Sequence, residues 1–149
     1  MKLEELQVYQ LSMEMGDKVW KIVINWDHFS KDTVGKQLVR AADSIAANLS
    51  EGFGRYHYNE SKHFYYYSRG SLSETKTWLT KANIRKLITE NDFSSFMNDI
   101  NVIGIKLNNY INAVGKKANQ SEVNDDGESK YNQCREANDN ECREANDHK

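Results

Sequence analysis

Residues 38–56, LVRAADSIAANLSEGFGRY, constrain the fold of this chain more than any other stretch. Wound as an α-helix, they place Leu38, Ala42, Ile45 and Leu49 at 4, 3, 4 spacing, a single buried stripe. Arg40, Ser44, Asn48 and Glu51 form a second, polar stripe on another face. Ala41, Ala46 and Ala47 lie between the stripes, and side chains that small let a neighbouring helix approach closely. A helix with two specialised faces belongs in a bundle that also assembles. Nothing in the stretch reads as catalytic machinery.

The chain contains no proline in 149 residues, and proline is what most often breaks helix interiors, so an all-α fold is expected. Helix 1 is predicted over residues 3–26. Leu6, Tyr9, Met13, Gly16, Trp20 and Val23 make one apolar row, and Val8, Leu11, Met15, Val19 and Ile22 a second beside it. That arc is wider than one packing face needs, which suits a helix buried on more than one side. Ser30 and Asp32 are the expected N-caps of helix 2, over residues 33–53, with Gly52 and Gly54 ending it in the left-handed conformation.

Helix 3 is predicted to start after Asn59, as its cap, and to run to Leu87. Phe64, Ser68, Ser71, Thr75, Trp78 and Ala82 fall at core spacing, and Gly70 and Ser71 imply a close helix crossing. Thr89 caps helix 4, whose apolar positions run from Phe93 through Met97, Ile100, Gly104, Leu107 and Ile111 to Val114, flanked by Phe96, Ile103 and Tyr110. Gly115, Lys116 and Lys117 are its expected end. Short connectors make neighbours antiparallel, which gives an up-down four-helix bundle over residues 1–117.

Residues 118–149 are polar, poor in large apolar side chains and expected to be disordered, because they cannot bury enough surface to offset the entropy of ordering. They contain a tandem octapeptide, NQCREAND then NECREAND, best explained as duplication of a short coding stretch. Charge divides at the same boundary. Residues 1–117 carry 16 Lys and Arg against 13 Asp and Glu, a net of +3, and residues 118–149 carry 4 against 9, a net of −5. Cys134 and Cys142 lack the spacing of a zinc or redox motif, and no metal or cofactor is expected. The first residues lack a secretory pattern, and no run of apolar residues is long enough to span a bilayer. A cytoplasmic protein with no membrane partner is expected.

The candidate binding surface is on helix 3. Lys62, Tyr66, Arg69 and Lys76 share an exposed stripe, and Arg55, Tyr56 and His57 sit at the turn before it. Cations that pair with phosphate, next to rings that stack on bases, are the elements of a nucleic-acid surface. Catalysis is not expected. There is no nucleophile–base constellation, no Gly-rich phosphate loop and no clustered metal ligands, and His57 and His63 are six apart rather than four.

Three segments, LQVYQLSMEM, QLVRAADSIAANLSEGFGR and GSLSETKTWL, carry a resemblance that extends over about residues 3–115. The chain resembles the four-helix bundle family encoded by intervening sequences inserted in bacterial 23S ribosomal RNA genes. The resemblance implies a left-handed up-down bundle assembled into a ring-like homopentamer. It also implies kinship with accessory factors of diversity-generating retroelements, which bind nucleic acid and a reverse transcriptase. Arg40, Ser44, Asn48, Glu51 and Gly52 match the family signature in helix 2, and Gly70, Ser71 and Glu74 match that in helix 3. Arg40, Glu51 and Glu74 are expected in a partly buried polar network, since buried charges must be paired. The function implied is a non-catalytic oligomeric module associated with RNA or DNA. The alternative is a scaffold for a protein partner such as a reverse transcriptase.

Overall fold

The computed structural model describes the backbone of residues 1–144 and the side chains of residues 1–122. Among the described residues it is all-α, with four helices: α1 (Gln7–Val23), α2 (Lys36–Phe53), α3 (Tyr58–Ile84) and α4 (Glu90–Glu144). A 3-10 turn, Leu3–Glu5, precedes α1. One α-helical turn, His28–Ser30, and a π-helical turn, Lys31–Gly35, lead without a break into α2. The compact unit is Met1–Asn112, and Ala113–Lys149 forms a second unit.

Residue pairs across the seams run in opposite senses, which makes the connectivity up-down. Gln7 meets Lys106 and Lys18 meets Asp99 across α1 and α4. Tyr65 meets Tyr110 and Arg69 meets Asn108 across α3 and α4. Gly16 lies against Asp43, and Val23 against Gly35, where α1 passes the chain entering α2.

The α2 stripe is buried as its spacing predicts: Leu38, Ala42, Ile45 and Leu49 are all at most 1% exposed. In the other helices the core is rotated from the expected positions. The α1 core uses Val8, Met15 and Val19 from the second row, together with Ser12, Gly16 and Val23, and leaves Met13 and Trp20 exposed. In α3 the centre is Tyr65, Ser68, Leu72, Thr75, Leu79 and Ala82, with Phe64, Ser71 and Trp78 at its edges. In α4 it is Phe96, Ile100, Ile103, Leu107 and Ile111.

Several expected boundaries are corrected. The cap before α2 is Asp27, whose side chain accepts from the Ser30 N–H at 3.1 Å, so Ser30 and Asp32 are already inside the helical path. α3 starts at Tyr58 after an extended His57, which places Asn59 within its first turn. The Thr89 cap is present, with its hydroxyl accepting from the Asp92 N–H at 3.1 Å. α3 closes with Lys86 at φ 58°, while Leu87 N–H donates to the Ala82 carbonyl and Lys86 N–H to that of Asn83. This is a Schellman closure made by lysine rather than glycine.

No described glycine has positive φ, so Gly52 and Gly54 do not end α2 in the left-handed way expected. Gly52 is instead a packing residue: a Cβ there would lie 2.6 Å from the Tyr65 ring. The close crossing expected at Gly70 is not within this chain, since a Cβ there would meet nothing within 4 Å. α4 also continues past Gly115, where an end was expected. Disorder was expected for residues 118–149; the side chains of residues 123–149, among them those of the octapeptide repeat and both cysteines, lie outside the described residues.

Candidate nucleic-acid interface

α3 presents the cation stripe because its opposite face is taken by Tyr65, Leu72 and Leu79. The stripe residues at i, i+4 and i+7 then stack along the outside. Tyr66 is 37% exposed and lies between two cations: the Arg69 guanidinium is 4.8 Å from its ring centroid and the Lys62 ammonium 5.7 Å. Arg69 also makes a long contact, 3.5 Å, to the Asn108 side-chain oxygen. Lys76 is exposed farther along the same helix, about 10 Å beyond Arg69 at the helical rise. Neither Lys62, Arg69 nor Lys76 has a carboxylate within ion-pair distance among the described residues.

Arg55 belongs to a neighbouring cluster. Its guanidinium pairs with Glu51 one turn back and lies 4.9 Å from the Phe64 centroid. Tyr56 and His57, at the same turn, meet edge to face at 5.0 Å. The structure therefore brings Lys62, Tyr66 and Arg69 together, with Arg55 attached to Phe64 instead. Phe64 escaped the sequence reading because its spacing had placed it in the core.

The signature residues of α2 and α3 do not form one network. Ser44 donates to the Arg40 carbonyl at 2.6 Å, and Asn48 donates to the Ser44 carbonyl at 2.9 Å and reaches the Ser71 hydroxyl at 3.5 Å. Arg40, Glu51 and Glu74 are exposed: Glu51 pairs with Arg55, and Glu74 accepts from the Trp78 indole at 3.2 Å. The expected partly buried charge network is corrected on this point, because all three charges are exposed, and Glu51 and Glu74 each pair with a residue one turn along the chain rather than with one another.

The buried polar groups are elsewhere. Ser68 donates to the Ile45 carbonyl at 2.7 Å, and the Tyr65 and Tyr110 hydroxyls meet at 3.2 Å. Burial pushes the Tyr65 phenol well above its ordinary range, with the Tyr110 hydrogen bond acting in the same direction. On the outer side of α1 and α2, burial and then the nearby Asp17 charge raise Asp43. No group of three or more His, Cys, Asp or Glu able to hold a metal occurs among the described residues. No described helix is long and apolar enough to cross a membrane.

No curated protein matches the chain. A crystal structure of a protein of unknown function from the S23 ribosomal protein family of Bacteroides thetaiotaomicron VPI-5482 has a similar fold, with a TM-score of 0.63 at 23% identity, covering 70% of this chain and 97% of that one. The sequence pattern of the 23S rRNA-intervening sequence proteins matches residues 4–109, which is the whole of the bundle apart from its first and last few residues, and the chain therefore belongs to the 23S rRNA-intervening sequence protein family.

Proposed function

We propose that this protein is a non-catalytic, self-associating cytoplasmic module that binds single-stranded RNA or DNA through the outer face of α3. The observation that carries this reading is the Lys62, Tyr66 and Arg69 cluster, an accessible ring flanked by cations that have no carboxylate partner among the described residues. Cations there neutralise phosphates, and the ring offers a stacking surface that tolerates any base. A monomer body of +3 binds weakly, and assembly multiplies the contacts one strand can make. The test is a gel-shift titration at two salt concentrations. Affinity falls steeply with salt, and the triple variant Lys62→Gln, Arg69→Gln, Lys76→Gln binds more weakly with a shallower salt slope. No shift at low salt refutes the reading.

Self-association is supported by the outer side of α1 and α2. Met13, Trp20 and Ile24 are about half exposed, and the seam holds cavities of about 320 Å³, one beside Trp20, Ile24 and Val39 and one beside Met13, Asp43 and Ala47. Apolar surface of this kind marks an interaction face. A second copy is the occupant we propose, in the ring-like homopentamer that the family resemblance implies. Light scattering then gives a mass several times 17.3 kDa. If nucleic acid does not bind, this assembly is read as a scaffold for a protein partner such as a reverse transcriptase.

A further inference from the structure

The geometry points to a base-reading site at the foot of α3, where Arg55, Glu60, His63, Phe64 and Tyr67 line an open surface depression of about 330 Å³. Its occupant is one unpaired nucleobase of a single strand, its amino group accepted by Glu60, with cytosine taken in preference to uracil. This inference rests on the nucleic-acid reading above and adds a specificity to it.

The volume lies at the lower end of small-molecule cavities, enough for a single nucleoside. Phe64 and Tyr67 stand at 89° to one another with centroids 5.8 Å apart, so a base stacked on one ring is bounded by the other at a right angle. Tyr67 is 58% exposed, so a face of its ring is open to a stacking base. Arg55 is held against Phe64 and by Glu51, which leaves guanidinium donors for a phosphate or a base carbonyl.

Glu60 has no cation within ion-pair distance among the described residues, and an ionised carboxylate only accepts hydrogen bonds. Cytosine offers it an N4 amino donor. Uracil offers a carbonyl oxygen at the same position, and two acceptors repel. Both are pyrimidines on the same backbone, so stacking and phosphate terms are nearly equal and the difference reports the edge contact.

The experiment is fluorescence anisotropy of the full chain with end-labelled ten-residue oligocytidine and oligouridine at low salt. Wild type is expected to bind oligocytidine about tenfold more tightly. In Glu60→Ala that ratio falls to about one without weaker binding of oligouridine. In Tyr67→Ala both oligomers lose affinity together, and circular dichroism checks that each variant is folded. Equal binding of the two oligomers by wild type, or a ratio unchanged in Glu60→Ala, overturns the pocket and leaves the α3 reading standing. Binding of neither oligomer overturns both.

Discussion

Substituting Gly52 by alanine tests the packing between α2 and α3 directly. The added Cβ would lie 2.6 Å and 2.9 Å from two Tyr65 ring carbons and 3.1 Å from the Phe64 Cβ. An ordinary contact needs at least about 3.4 Å, so the ring must retreat by roughly 0.8 Å. Tyr65 is 3% exposed, packs edge-on against Tyr110 at 5.2 Å and shares a hydroxyl contact with it, so that retreat disturbs a filled interior. Overpacking of this kind costs about 1–3 kcal/mol, and weakening the tyrosine pair adds about 1 kcal/mol. Alanine recovers about 1 kcal/mol of helix propensity. The net loss is therefore about 1–3 kcal/mol, a fall in Tm of about 4–12 °C for a domain of this size. Gly70→Ala is the internal comparison, since its Cβ meets nothing within 4 Å and only the propensity gain applies. The assay is thermal and urea unfolding followed by circular dichroism at one fixed protein concentration, because association shifts apparent stability. Shifts of the same sign in Gly52→Ala and Gly70→Ala would refute the reasoning.

Four further outcomes follow from the same structure. Lys86→Gly, at φ 58°, relieves a left-handed lysine and stabilises by about 0.5–1 kcal/mol, whereas Lys86→Val destabilises; urea midpoints check both. Asp43 has a raised pKa in the folded state, so its ionisation opposes folding: stability from this group is full below the ordinary carboxylate pKa and is lost as pH rises through the raised value. Asp43→Asn is thus stabilising at neutral pH, with the gain vanishing in acid, as melting at a series of pH values shows. Deleting residues 118–149 leaves the melting temperature nearly unchanged, because the compact unit is Met1–Asn112; a cooperative loss of several degrees contradicts this. The same deletion removes a net charge of −5 and tightens RNA or DNA binding in the gel-shift assay.

The all-α class, the four helices, the α2 core stripe and the Thr89 cap were legible in the residues themselves. Periodicity and capping are local properties, and a helix that buries one stripe of Leu38, Ala42, Ile45 and Leu49 has little choice of face. The Lys62, Tyr66 and Arg69 cluster was legible for the same reason, since neighbours at i+3 and i+4 meet on any helix. Helix ends were less legible. Asp27, Ser30 and Asp32 are all competent caps, and which one acts depends on where the backbone remains extended.

Tertiary structure decided what local pattern could not. α1 carries two adjacent apolar rows of similar strength, and only docking against the other three helices selects Val8, Met15 and Val19 for the core and leaves Met13 and Trp20 outside. Gly52 was expected to end α2 and Gly70 to mark a close crossing, yet Gly52 faces a tyrosine ring and Gly70 open space. Arg40, Glu51 and Glu74 suggested a network by their charges, but the faces of α2 and α3 that carry them point away from the core. The pocket of Arg55, Glu60, Phe64 and Tyr67 exists because the α2–α3 turn folds Arg55 back over α3. Helical spacing determines which residues share a face, whereas the rotation of each helix about its axis is set by the packing of all of them together.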